Sequence, residues 1–212
     1  MSAALENSFI IDRAARIVRS GGVVIVRTET FYALAADPFQ IEGVKRIFQI
    51  KRRSEEKPLP LIAAHKASVE KIAPVIPAIS RKIMDHFWPG SLTILMEVVL
   101  PFSKLLTGPT GKIGVRVPPD SPAKVLAEQV GGWITATSAN LSGDPSPDRI
   151  SCINREVLEA VDIVMDMGTT PGGKPSTVVE PLEDGLRIVR EGGISRTTII
   201  EVIGPASLIK SS

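Results

Sequence analysis

Residues 8–36 read SFIIDRAARIVRSGGVVIVRTETFYALAA, and this stretch decides the fold. Ile10, Ala14, Ile17 and Val18 share one face of a helix over 8–20, which Gly21-Gly22 stops. Val23–Val26 is a short apolar run behind that stop and reads as a buried strand. The polar Thr28-Glu29-Thr30 interrupts it before Phe31–Ala36 resumes apolar. A helix, a buried strand and a polar break feeding a second apolar run mark an α/β chain.

Outward from there the alternation continues. Residues 41–51 (IEGVKRIFQIK) have helical period, with Ile41, Val44, Ile47 and Phe48 inward. Strands are expected at 59–64, 92–98, 113–117, 133–137, 176–180 and 186–190, and an apolar segment at 161–165. Helical patterns fall at 66–73, 77–87, 121–130 and 154–161; Trp88-Pro89-Gly90 is a turn, and 138–149 a polar, Pro-rich loop. The last pattern, 196–204, fits a helix or a strand. These elements predict an α/β fold, a single domain built on one twisted mixed sheet with flanking helices.

The chain has 212 residues, 43% of them hydrophobic and 23% charged, enough to bury a core without staples. A single cysteine, Cys152, excludes a disulfide framework and a four-cysteine zinc site. His65 and His86 show no ligand spacing. No signal pattern or membrane-length apolar run appears, so a soluble, cytoplasmic protein without membrane partners is expected.

GxSxG, HExxH, CxxC and GxxxxGK[ST] are all missing, and the phosphate-loop look-alike at 168–174 ends in Pro175 without strand–helix context. The net charge of +2 conceals a basic stretch, in which Lys45, Arg46, Lys51, Arg52, Arg53 and Lys57 face only Glu55 and Glu56. Such a patch on a near-neutral chain suggests one local anionic ligand, with a solvated helix end as the plain alternative. Polar residues also punctuate strand ends: Thr28-Glu29-Thr30, Arg116, Thr137–Asn140, Ser176-Thr177 and Arg190. Singly each is a cap, a turn or a salt bridge. Together they are cations and hydroxyls suited to positioning a phosphate-rich substrate.

Lys51-Arg52-Arg53 followed far downstream by Ser138-Ala139-Asn140 resembles the KxR and SxN signature of the YrdC/Sua5 family. Further stretches agree in order: GGVV at 21–24, TETFY at 28–32, KPL at 57–59, FWPGSLT at 87–93, GVRVP at 114–118, SANLSG at 138–143, PSTVV at 175–179 and REGGIS at 190–195. The likeness covers about residues 10–196 of a single domain over 1–212. It departs at Arg27, at Ala33–Ala36, and at Arg52 and Ser54, where family members carry Pro, GLGA, and Gly and Pro.

The resemblance implies a YrdC-like fold with a concave basic cavity. It also implies an L-threonylcarbamoyladenylate synthase, a nucleotidyltransferase acting on L-threonine, bicarbonate and ATP with Mg²⁺ for the t6A modification of tRNA. On this reading ATP is bound by Lys51, Arg53, Lys57, Lys112, Ala136, Ser138, Asn140, Ser146 and Arg190. L-threonine is bound by Thr30, Arg116 and Ser176. Lys51 and Arg53 stabilise charge, no dedicated acid or base acts, and the metal is held by phosphates rather than protein. The downstream partner is a threonylcarbamoyl transferase complex acting on tRNA, with weak tRNA or double-stranded RNA binding in addition. Alternatives from other classes are a double-stranded RNA or tRNA binder and a related carbamoyl-adenylate domain without synthase activity. Aromatic content of 4% weighs against a single-strand stacking platform.

Overall fold

The computed structural model describes residues 3–99 and 102–209. Helix α1 (Ala3–Arg19) buries Ile11, Ala14, Ala15 and Val18. That i, i+3, i+4, i+7 stripe leaves Ile10 and Ile17 only partly covered, one position off the expected face. Gly21 ends the helix at φ 87°, its N–H reaching Val18 O at 3.0 Å. Strands β1 (Val24–Arg27) and β2 (Tyr32–Ala35) pair antiparallel, so Thr28–Phe31 form the turn between them.

Helix α2 (Ile41–Lys51) buries Val44, Ile47 and Phe48, but Ile41 is exposed. Gly43 occupies the inner face instead, where a Cβ would come within 2.8 Å of Gly21 O. There follow β3 (Leu61–Ala63), α3 (Lys66–Ile72), α4 (Ala78–Phe87), β4 (Leu92–Glu97), α5 (Lys104–Thr107) and β5 (Lys112–Arg116). Next come α6 (Pro122–Gln129), β6 (Trp133–Thr135), β7 (Thr137–Ser138), α7 (Arg155–Glu159) and β8 (Ile163–Val164). The chain closes with β9 (Thr177–Leu182), β10 (Gly185–Arg190), α8 (Arg196–Ile203) and β11 (Leu208–Ile209). The ambiguous 196–204 segment is a helix, started by Ser195 Oγ accepting from Thr198 N at 3.1 Å.

The α/β class holds, with two twisted mixed sheets in place of the expected one: β7-β2-β1-β8 and β11-β10-β9-β4-β5-β3-β6. The expected strand at 133–137 is where they part. Trp133–Thr135 pairs with β3, whereas Thr137–Ser138 pairs with β2. Thr135 N bonds Ala36 O and Ala136 N bonds Pro60 O, both at 2.9 Å, which fixes the crossing. A single apolar cluster joins Ile25 and Leu34 of the smaller sheet to Leu61, Ile94, Val115 and Val179 of the larger. Among the described residues no helix is long and apolar enough to cross a membrane.

Strand direction positions the site. β4 and β9 are parallel, and β5 and β10 run antiparallel to them. The starts of β4 and β9 therefore share one sheet edge with the ends of β5 and β10, which brings Thr93, Ser176, Arg116 and Arg190 together.

Candidate active site

Lys51 closes α2 with its side chain buried at 2% exposure. Its Nζ donates to Ser138 O at 2.5 Å, Asn140 O at 2.8 Å and Asn140 Oδ1 at 2.8 Å. Two sequence fragments almost ninety residues apart are thus bonded to each other. Asn140 Oδ1 also accepts from Ser138 Oγ at 2.6 Å, and its Nδ2 donates to Asp144 O at 2.5 Å. The Ser-x-Asn loop is held from inside by the lysine. Arg52, the middle residue of the KxR pattern, takes the left-handed φ of 50°. That conformation suits glycine and costs another residue about 1 kcal/mol.

Three acceptors match the three N–H bonds of an ammonium, but burial opposes that charge and outweighs them. Burial, then the Arg53 guanidinium, pulls the Lys51 pKa down from 10.5 to about 7, with Asp144 opposing. Between those values the unfolded chain keeps a proton that the folded chain has released, so Lys51's share of stability rises with pH across that window. Denaturant unfolding at about pH 7 and about pH 10 is expected to show this gain in the wild type and not in Lys51→Met. Equal pH slopes in the two proteins would refute it.

The second group is an arginine corner. Arg116, at the end of β5, is 9% exposed, and its Nη1 is buried and makes no hydrogen bond among the described residues. Its Nη1 faces Glu29 Oε1 of the β1–β2 turn in an ion pair. Burial, then Arg190, lowers the Arg116 pKa to about 10. Arg53 is lowered by the same two causes in the same order, and Arg190 by burial. Arg53 spends Nε on Lys57 O at 2.8 Å and Nη2 on Pro58 O at 3.2 Å. Arg190 Nη2 donates to Ser176 O at 2.9 Å, and Ser176 Oγ lies 2.9 Å from Thr93 Oγ1. Thr93 is a buried polar contact that the sequence reading missed; its only signal was a hydroxyl in the apolar run of β4. Gly192 makes the Ser176 position possible, since a Cβ there would meet Pro175 O at 2.1 Å.

Thr30 belongs to the same turn as Glu29, its Oγ1 3.2 Å from Thr28 Oγ1. Its carbonyl accepts from Thr170 Oγ1 at 2.6 Å and Gly172 N at 3.0 Å, so the loop that mimics a phosphate loop straps this turn. Lys57 is exposed, and Ser146 is half-buried in the 138–149 loop. The Ala136 N–H is committed to Pro60 O. Lys112 does not join the arginines. It starts the strand that Arg116 ends, roughly 13 Å away, and its Nζ pairs with buried Glu180 at 2.9 Å.

The basic stretch is largely neutralised. Lys45 pairs with Glu42, Arg46 with Asp162 and Arg52 with Glu156, while Lys51 is buried. Arg53 and Lys57 are what remains for a ligand. A cavity of about 890 Å³ lies between α4, β4 and the β9–β10 hairpin, and one of about 500 Å³ between α4 and α8. Neither is the expected concave basic face, for both lie away from the arginines.

Fold and site define a two-sheet α/β protein that gathers unspent cationic donors at one sheet edge. The family model described as "Telomere recombination", covering Sua5, YciO and YrdC, matches residues 16–192, and the chain belongs to this family. A "Putative threonylcarbamoyl-AMP synthase" of Methanocaldococcus jannaschii is 33% identical, over 89% of this chain and 88% of the relative. A "Threonylcarbamoyl-AMP synthase" of Pyrococcus abyssi is 34% identical over 90% of this chain, which spans only 56% of that longer relative. The solved structure of P. abyssi Sua5 complexed with L-threonine is similar with a TM-score of 0.85 at 33% identity, over 94% of this chain and 58% of that one.

Proposed function

We propose that the chain is a threonylcarbamoyl-AMP synthase, a nucleotidyltransferase that makes threonylcarbamoyl-AMP and pyrophosphate from L-threonine, bicarbonate and ATP. The observation that carries this is Arg116, buried at the end of β5 with donors unspent beside Arg190. A buried guanidinium favours anionic partners; Glu29 faces Nη1, and the remaining N–H donors suit a second anion. Likeness to named synthases and to a threonine-bound structure supports threonine as that partner.

In the reaction, the neutral threonine nitrogen bonds the carbon of bicarbonate while one C–O bond of bicarbonate breaks, and the oxygen leaves as water with the amine's proton, giving a carbamate. A carbamate oxygen then bonds the α-phosphorus of ATP as the bond to the β-phosphate oxygen breaks and pyrophosphate leaves. Such a displacement depends on in-line positioning and charge neutralisation. Arg116 takes the threonine carboxylate in a planar fork, with Thr30 and Ser176 beside it. Arg53, Lys57 and Arg190 neutralise phosphate. Lys51 acts through Ser138 and Asn140, holding their loop against the nucleotide; Ser146 lies further along that loop. Magnesium enters on ATP as substrate, bound by phosphate oxygens and water. The mixed anhydride formed is an activated donor for a transferase acting on tRNA.

Purified protein with ATP, bicarbonate and threonine is expected to release pyrophosphate only when all three are present. Release that ignores threonine would overturn the reading. Because ion pairs and burial consume most of the basic stretch, duplex RNA binding is expected to be weak, indifferent to sequence and steeply salt-dependent, with ATP competing. Tight binding to one tRNA at physiological salt and saturating ATP would instead favour an RNA-binding protein.

A further inference from the structure

Glu29 contributes an acid to the arginine corner and has no assigned task. Its backbone is rigid: Thr28 Oγ1 accepts from Thr30 N at 3.1 Å and Phe31 N at 3.2 Å, and donates to Phe31 O at 2.7 Å. The straps from Thr170 and Gly172 hold the same turn. The Glu29 side chain is 11% exposed, like that of Arg116, and Oε1 faces Arg116 Nη1. Both carboxylate oxygens are buried and accept no hydrogen bond, and Arg116 Nη1 likewise donates none. A buried carboxylate oxygen without a donor is costly, so its persistence on so fixed a turn points to a donor that arrives with a ligand.

We infer that Glu29 is the acceptor for the α-amino group of the substrate amino acid. The two charged groups of an α-amino acid are separated by one carbon, so the residues that read them must be neighbours. Arg116 and Glu29 are in contact, one for the carboxylate and the other for the amine. The pair selects α-amino acids over α-hydroxy acids of the same shape, because an amine donates to Oε2 with charge assistance and a hydroxyl does so without it. This inference rests on the proposed synthase reading and deepens it at the threonine site.

The test is calorimetric titration of wild type, Glu29→Gln and Glu29→Asp with L-threonine, with 2,3-dihydroxybutanoate (its α-hydroxy analogue), and with ATP. Wild type is expected to prefer threonine over the analogue by about 10- to 100-fold. Glu29→Gln should lose that preference through weaker threonine binding, while analogue and ATP affinities stay the same. If Glu29→Gln fails to fold, Glu29→Asp decides, since it keeps the charge but falls one methylene short and should retain only part of the preference. A folded variant with undiminished preference overturns the role. If wild type prefers a different α-amino acid, the same comparison with that acid and its hydroxy analogue decides Glu29, and the synthase reading alone falls. A wild type that binds no α-amino acid overturns both.

Discussion

Arg116→Lys is expected to weaken L-threonine binding by about 10- to 150-fold, the equivalent of roughly 1.5–3 kcal/mol, with ATP affinity almost unchanged. Lysine keeps the charge that faces Glu29, so the ion pair in the turn survives and the melting temperature should move little. What it lacks is the planar fork that grips both oxygens of a carboxylate. Calorimetric titration with each ligand, beside a melting curve, checks this. If Arg116 served only to neutralise Glu29, lysine would do the same and neither threonine nor ATP affinity would change. Unchanged threonine affinity in a well-folded Arg116→Lys protein would remove Arg116 from the site.

Lys51→Met should cost stability and activity at once. The variant keeps the length of the side chain but leaves Ser138 O, Asn140 O and Asn140 Oδ1 without their shared donor. Three buried acceptors at about 1 kcal/mol each amount to roughly 3 kcal/mol, or about 6–12 °C in melting temperature for a chain of this size. Removing a desolvated ammonium offsets part of that loss, so the smaller end of the range is expected. Pyrophosphate release should drop by about 100-fold or more, since the Ser-x-Asn loop loses what orders it. A variant that melts like the wild type yet binds ATP normally would show that the loop orders itself without the lysine.

Arg53→Ala contrasts with this. Its guanidinium bonds only neighbouring carbonyls of its own loop, so the expected loss falls on ATP affinity more than on stability.

Much of the architecture was legible because local signals agreed with the final packing. The helix over 41–51 has the predicted limits, set by apolar period at one end and a left-handed residue at the other. The turn between β1 and β2 was marked by three polar residues in an apolar run. Ile41 and Ile10 were misplaced for a common reason. Periodicity identifies a stripe, but which edge of the stripe lies deepest depends on what packs against it, here the Gly21 backbone on Gly43 and α6 on α1.

The family signature and the residue types of the site could be read from the chain alone, because they are properties of single positions in order. Tertiary structure decided the rest. The stretch WITAT at 133–137 carries no mark of the sheet switch, which depends on partners at Ala36 and Pro60. The buried three-way bond of Lys51 is equally invisible in the sequence, because its acceptors arrive from a segment almost ninety residues away. Lys112 and Arg116 sit on one short strand, yet they stand at its opposite ends, with Lys112 paired to Glu180. The pairing of Glu29 with Arg116 is a fact of the same kind. Residue type determines which charges exist; only the folding of distant segments onto one another determines which of them are neutralised and which keep donors for a ligand.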